Sequence, residues 1–214
     1  SYSFDNRRTG LNPKAGTFIK FGQDFAFTGK DPFLRTNMKL GGETYVLNED
    51  VKLTGIFDFG ALLFDSSSSS RVTDRYFLGN NLFRGFAAGG LGPREKNVLG
   101  SPLIDDGLGG NYYAVARFES KSPLGLPEEY GIELGAFFDA GSVWGLDASS
   151  LTTAANASTP SQVLYDDFTL RAVAGVSIFW TTPIGPLRFN WSDAVKKAPG
   201  DVEQSFDLTV STSF

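Results

Sequence analysis

The sequence predicts an all-β fold: a transmembrane, antiparallel, up-and-down β-barrel with about eight strands present. Three observations predict it. Polar and apolar residues alternate over segments of about ten residues, the length a tilted strand needs to cross a bilayer; strands of soluble sandwiches run nearer to about five or six. Aromatic residues make up 14% of the chain beside 25 glycines, a balance that suits strands and turns better than helices. The alternating segments are joined in turn by short connections and long ones, as in outer-membrane barrels, where short turns face the periplasm and long loops face outside.

The elements follow in order. "SYSFDN" (1–6) reads as the tail of a strand. "TFIKFGQDFAF" (17–27) sets Ile19, Phe21, Phe25 and Phe27 opposite Lys20 and Asp24, and "FLRTNMKLGGETYV" (33–46) sets Leu34, Met38 and Leu40 opposite Arg35, Asn37, Lys39 and Glu43. "VKLTGIFDFG" (51–60) places Val51, Leu53, Phe57 and Phe59 against Lys52, Thr54 and Asp58. In "NYYAVARFES" (111–120) Tyr112, Ala114, Ala116 and Phe118 oppose Val115, Arg117 and Glu119. In "GIELGAFFDAG" (131–141) Ile132, Leu134, Ala136 and Phe138 oppose Glu133, Gly135, Phe137 and Asp139. "FTLRAVAGVSIFW" (168–180) carries Phe168 and Trp180 at its two ends, as the aromatic belts of a membrane interface require. "PLRFNWSD" (186–193) turns Leu187, Phe189 and Trp191 one way and Arg188, Asn190 and Ser192 the other. The last segment, "QSFDLTVSTSF" (204–214), puts Phe206, Leu208, Val210 and Phe214 on one face. "TGKDP", "LNED", "SPLGLPEE" and "TTPIGP" are Gly/Pro/Asp turns, whereas 65–108 and 145–165 are long loops of low complexity in part.

Composition narrows the chemistry. The 214 residues include no cysteine and no histidine, which closes the usual zinc, iron–sulfur and thiol sites and any Ser-His-Asp arrangement. The net charge is −5 and the pI about 4.8, which argues against a general nucleic-acid partner. Mean hydropathy is −0.11 and no run reaches the roughly 20 apolar residues of a membrane helix, a test that barrel strands evade by alternating. The polar N-terminus carries no signal peptide, so the chain reads as a mature protein or a fragment. A soluble β-sandwich fails on both faces. Arg35, Lys39, Lys52, Asp58, Glu119, Glu133, Asp139, Arg171 and Arg188 cannot be buried unpaired in a dry core, and the opposite faces carry too many phenylalanines for water. Lipid outside with water or protein inside resolves both.

One stretch stands apart from the strands. "NNLFRGFAAGG" (80–90) holds Arg84 between two phenylalanines in a glycine-rich loop. Its core, "LFRGF" (82–86), resembles the Arg-Gly-Phe signature of the BamA family of outer-membrane β-barrel assembly proteins, of the bacterial surface-antigen type. "DRYFLGNN" and "GLGPR" resemble that signature's flanks. "LGGNYYAVARFESKSPLG" (108–125), "FFDAGSVW" (137–144) and "WTTPIGPLRFNWSDAVKK" (180–197) resemble the family's late barrel strands in order and spacing, and the aromatic-terminated last strand fits as well.

The resemblance implies that the chain corresponds to the C-terminal half of a sixteen-stranded barrel, with the first strands and the periplasmic POTRA domains lying outside it. It implies that loop 65–108 folds back into the barrel, where Arg84 meets acidic residues of the inner wall. The matching positions are Glu119 and Asp139, which the alternation had already put on the polar side. Two neighbouring carboxylates repel each other; a guanidinium between them relieves the repulsion and binds bidentately. Gly85 would permit the tight turn and Phe86 would wedge against the wall, so that the five residues form a loop lock. Phe206, Leu208, Val210 and Phe214 would face lipid and form part of a gate at the barrel seam.

The function implied is that of an insertase, folding β-barrel proteins into the outer membrane of a Gram-negative bacterium without nucleotide hydrolysis. Its partners would be the lipid bilayer, unfolded outer-membrane proteins as clients and, through the POTRA domains, assembly-complex lipoproteins. No enzyme, cofactor or metal site is expected. A TamA-like translocation-assembly barrel and a passive structural barrel or pore remain as alternatives. Glu119 and Asp139 also suit a glycosidase pair, with nothing else in support. Asp105–Asp106 and Asp166–Asp167 read as solvated loop aspartates rather than calcium ligands. Without the first strands, the chain either belongs to a larger assembly or closes on itself with eight or nine strands. Eight with a frayed start is the expectation, with an interior too narrow for the arginine loop and little or no insertase activity.

Overall fold

The computed structural model describes residues 1–7, 15–27, 32–47, 50–64, 70–97, 105–146, 161–183 and 185–210. Nine strands form one antiparallel sheet: β1 (Tyr2–Asp5), β2 (Ala15–Ala26), β3 (Phe33–Val46), β4 (Val51–Phe64), β7 (Tyr112–Pro123), β8 (Ile132–Trp144), β10 (Arg171–Thr182), β11 (Gly185–Lys196) and β12 (Phe206–Val210). They lie side by side in chain order. Seven of them run 12 to 14 residues, longer than the bare hydrocarbon crossing requires, so their ends project beyond the apolar layer.

The two faces differ as the alternation demands. Leu53, Phe57, Phe59, Phe118, Leu134, Phe138, Val176, Trp180, Trp191, Phe206, Leu208 and Val210 stand exposed along the convex face. Their lumen-side neighbours Asp58, Val115, Phe137, Asp139, Ser177 and Asn190 are buried. So broad an apolar surface is stable only against lipid. Near the ends of β7 and β8 that lead into the long loops, Tyr112, Trp144 and Phe168 pack in series, the first pair tilted and the second edge-to-face, ring centroids 6.1 and 4.8 Å apart, giving part of an interfacial aromatic girdle. Phe168 and Leu170 precede β10 rather than belonging to it, because the strand begins at Arg171, whose buried side chain is held by Asp201 of the connection between β11 and β12.

The expected closure fails. Among the described residues the sheet has nine strands, the eight long segments and the short first one, and its edges β1 and β12 do not pair with each other, so it is open rather than an eight-stranded cylinder. An eight-strand barrel has room inside for little more than its own side chains, whereas here the concave face is covered by the segment from Tyr76 to Leu91. Tyr76, Leu78, Phe83, Phe86 and Leu91 from that segment pack on Leu62, Tyr113, Val115, Phe137, Val143 and Val173 of the wall, forming the hydrophobic core. The arginine loop therefore fits.

The second difference is in the loops. β5 (Arg94–Asn97), β6 (Asp105–Gly107) and β9 (Ser161–Leu164) form a separate three-stranded sheet in the order β6-β5-β9. The two long connections thus fold on each other, Arg94 pairing with Leu164 and Glu95 with Val163. Strands of three or four residues without an apolar stripe leave no periodic signal, and their pairing is non-local.

A charge placed in the middle of the convex face tests its environment. Val176, opposite Ala136 and Trp191, lies mid-strand. Val176→Arg is expected to cost about 2–4 kcal/mol in urea unfolding from lipid vesicles, as for midplane charges on barrel exteriors.

Candidate functional site in the barrel lumen

The site is built where the arginine loop meets β7, β8 and β11. A tight turn starts it: the amides of Leu82 and Phe83 both donate to the Gly79 carbonyl at 2.8 Å. Phe83 and Phe86, both fully buried, stack at 5.5 Å in the apolar upper part of the lumen. Arg84, between them, is turned toward the wall. Gly85 makes this possible: its φ is +85°, and a Cβ there would come within 2.7 Å of Val173 Cγ1.

Arg84 grips Asp139 with a two-pronged contact, Nε to Oδ2 at 2.6 Å and an η nitrogen to Oδ1 at 2.5 Å. Its own backbone amide donates to the same carboxylate at 3.2 Å. The other η nitrogen reaches Glu119 Oε2 at 2.5 Å. The guanidinium lies over the ring of Phe137, 3.7 Å from its centroid, a contact strengthened by exclusion of water. Burial disfavours the Arg84 charge, but the hydrogen bonds and charges of Asp139 and Glu119 outweigh it, and the net effect raises the pKa above the ordinary arginine value. The cation is fixed.

All five residues of the expected lock lie in this one region, with a refinement in register. Asp139 sits opposite Arg117 across the β7–β8 pair, and Glu119 opposite Phe137, so the two carboxylates are diagonal neighbours. Phe137 occupies the position between them and supplies the platform. Phe86 packs in the core as a wedge and also bridges to Glu203, in the connection before β12. Of the four residues expected at a gate, Phe206, Leu208 and Val210 stand exposed on the lipid face; Phe214 lies outside the described residues.

Sequence reasoning did not assign Arg188 or Phe137. Arg188, from β11, donates to the same Glu119 oxygen and to Asn190 Oδ1 at 2.8 Å, and lies 4.8 Å from the Phe179 ring centroid. Two guanidiniums and two carboxylates thus balance, where one arginine between two acids would leave a negative charge. Its inward position was legible from the alternation; its partner was not, because β8 and β10 lie between β7, which carries Glu119, and β11. A second charge cluster stands beside the first, where Asp58 accepts from Arg117 at 2.7 Å and faces Lys39 at 3.5 Å, and Arg117 also donates to the Asn81 carbonyl at 2.9 Å.

On the far side of the lumen the loop is held by Tyr76, whose hydroxyl meets Thr36 O and Asn37 Oδ1 at 3.0 Å. Two of the loop aspartates have structural partners. Asp105 pairs with Arg94 at 2.7 Å, and Asp166 accepts the Leu146 amide at 2.6 Å. Among the described residues no three metal-ligating side chains gather.

Residues 1–214, the whole chain, match the Omp85 superfamily domain. The chain belongs to the Omp85 superfamily. Within this superfamily it is 30% identical over 203 residues to the outer membrane protein assembly factor BamA of Neorickettsia risticii, covering 94% of this chain and 25% of that protein. It is 32% identical over 143 residues to BamA of Neisseria meningitidis, covering 61% of this chain and 17% of that protein. The chain therefore spans a quarter or less of these relatives' length. The crystal structure of BamA from Haemophilus ducreyi lacking POTRA domains 1–3 shares its fold, with TM-score 0.78 and 22% identity over 99% of this chain and 41% of that one. The resemblance to the BamA family read from the sequence is borne out.

Two substitutions separate charge from backbone here. Arg84→Ala leaves a fully buried carboxylate facing Phe137, and a loss of about 3–5 kcal/mol is expected, as when one partner of a buried ion pair is removed. Gly85→Ala keeps every charge but drives a methyl into Val173, with an expected loss of about 1–3 kcal/mol. Urea unfolding in detergent, with protease nicking of the loop as a local probe, measures both.

Proposed function

We propose that this chain is the C-terminal part of an Omp85 barrel that assembles β-barrel proteins in the outer membrane of a Gram-negative bacterium, with the loop segment around Arg84 locked inside it. The reading is carried by one observation: a loop guanidinium buried against two wall carboxylates, which holds a protein plug in the lumen instead of leaving an open channel. A passive pore has no use for such a plug. An assembly barrel has, because it must keep a sealed lumen while its seam accepts new strands.

The chemistry needed is hydrogen bonding alone. An incoming strand has backbone N–H and C=O groups that cost several kcal/mol each if left unpaired in hydrocarbon. A sheet edge supplies partners by strand addition, without nucleotide or cofactor. β12 offers such an edge, with Phe206, Leu208 and Val210 anchored in lipid. Further strands would complete the barrel beyond β1, and POTRA domains preceding it would engage clients and lipoprotein partners. The chain by itself, with a single candidate gate strand and no opposing one, would accelerate assembly little.

The test is charge reversal with compensation in the full-length protein. Arg84→Glu is expected to slow assembly of an unfolded porin into liposomes on the order of tenfold, equivalent to about 1.4 kcal/mol. Arg84→Glu combined with Asp139→Arg should regain part of it. A barrel with no assembly role would give no assembly rate in the unsubstituted protein and none to change in either variant, whatever the substitutions do to its stability.

A further inference from the structure

β12 is a short edge strand of the sheet. Among the described residues it pairs with β11 through five residues and has no neighbour on its other side, and so short a two-stranded pairing is marginal by itself. Yet a strand that lends its free edge to a partner must keep its register against the strand behind it. The structure supplies the extra support from the arginine loop, at two levels.

The first is a backbone ladder. The Gln204 amide donates to Gly85 O at 3.0 Å, the Ala87 amide to Val202 O at 2.9 Å and the Val202 amide to Gly90 O at 2.7 Å. The segment that follows Arg84 is thereby paired with the residues that lead into β12. Asp201, just upstream, is fixed by the buried Arg171 through two bonds of 3.0 Å.

The second is a side-chain bond inside the lumen. Asp207 is the one charged residue of β12, and it points inward. Asn80 Nδ2, from the turn that opens the arginine loop, donates to Asp207 Oδ1 at 3.0 Å. Asn190 Nδ2 of β11 donates to Oδ2 at 3.2 Å, and Thr209 Oγ1 to the same oxygen at 3.0 Å. Asn190 Oδ1 in turn accepts from Arg188, which holds Glu119, which holds Arg84. The polar chain leaves the loop at Arg84 and returns to it at Asn80, four residues away, after passing through the terminal strand.

We propose that Asn80 and Asp207 are positioning residues for the terminal strand: the loop that Arg84 pins in the lumen sets the register and height of β12 through this bond and the ladder above it. The inference rests on the assembly reading for its purpose, while the link itself is structural and is tested without it. Loss of the loop contact would loosen β12 specifically, not the sheet as a whole.

The experiment is amide hydrogen exchange resolved to residues 206–210 in the full-length protein, in detergent or nanodiscs, with assembly of an unfolded porin measured in parallel. Asn80→Asp sets a second carboxylate against Asp207 and is expected to speed exchange at 206–210 by about tenfold, the scale of one charge-assisted hydrogen bond. The amides of 112–123 and 132–144 should stay unchanged. Adding Asp207→Asn exchanges donor and acceptor, leaves Asn190 an oxygen to bond, and should return the 206–210 rates toward wild type. Asn80→Ala, which removes the donor without adding charge, should give a smaller rise at the same residues. Unchanged exchange in Asn80→Asp, or a rise that Asp207→Asn does not reverse, overturns the proposal. A reversible rise with assembly untouched supports the positioning role and sinks the assembly reading instead.

Discussion

A guanidinium carried into the interior of a sheet-walled chamber has to be met by anions, since an unpaired buried charge is too expensive to keep. Arg84 is met by Asp139 along two parallel bonds and by Glu119 at the remaining nitrogen. Phe137 lies beneath it and Arg188 balances the remaining charge on Glu119. The arrangement is mutual. Without Arg84 the wall would present two acids to each other, and without the wall the loop could not hold an arginine out of water.

Around that contact the loop completes a core that the sheet alone lacks. The wall contributes Leu62, Tyr113, Val115, Phe137, Val143 and Val173 to the lumen, an apolar patch that water would not stabilise. Phe83 and Phe86 cover it from either side of the arginine. Charge and packing therefore secure the same few residues, and Gly85 lets them coexist, since a side chain there would strike Val173. The same segment then pairs with 202–204 and bonds Asp207, so that the plug, the outer connections and the last strand form one cooperative unit.

How much of this was legible can be judged residue by residue. Phe118 and Leu134 face outward and Glu119 and Asp139 inward because a strand's side chains alternate with period two, which is a local rule and needs no partner strand. Val115 and Phe137 were visible as apolar residues on the polar side, but nothing nearby in sequence said that a loop would cover them. Arg188 was visible as inward-facing and remained unassigned, because its carboxylate comes from β7. The β5–β9 pairing had no signal, since "REKN" and "SQVL" carry no pattern of their own. The expected eight-strand closure counted strands correctly to within one and misjudged the space the loop requires.

By itself the sequence determined which way each long strand turns its side chains, the absence of cysteine and histidine chemistry, and the motif that resembles the BamA family. These follow from alternation, composition and a short run of adjacent residues, all of them properties of nearest neighbours along the chain. Only the tertiary structure decided that the sheet stays open around its plug, that the carboxylates are diagonal with a phenylalanine between them, that Arg188 balances their charge, and that Asn80 reaches Asp207. Each of those depends on register and curvature across strands distant in sequence, where positions are set by the packing of the whole sheet and not by any one segment of it.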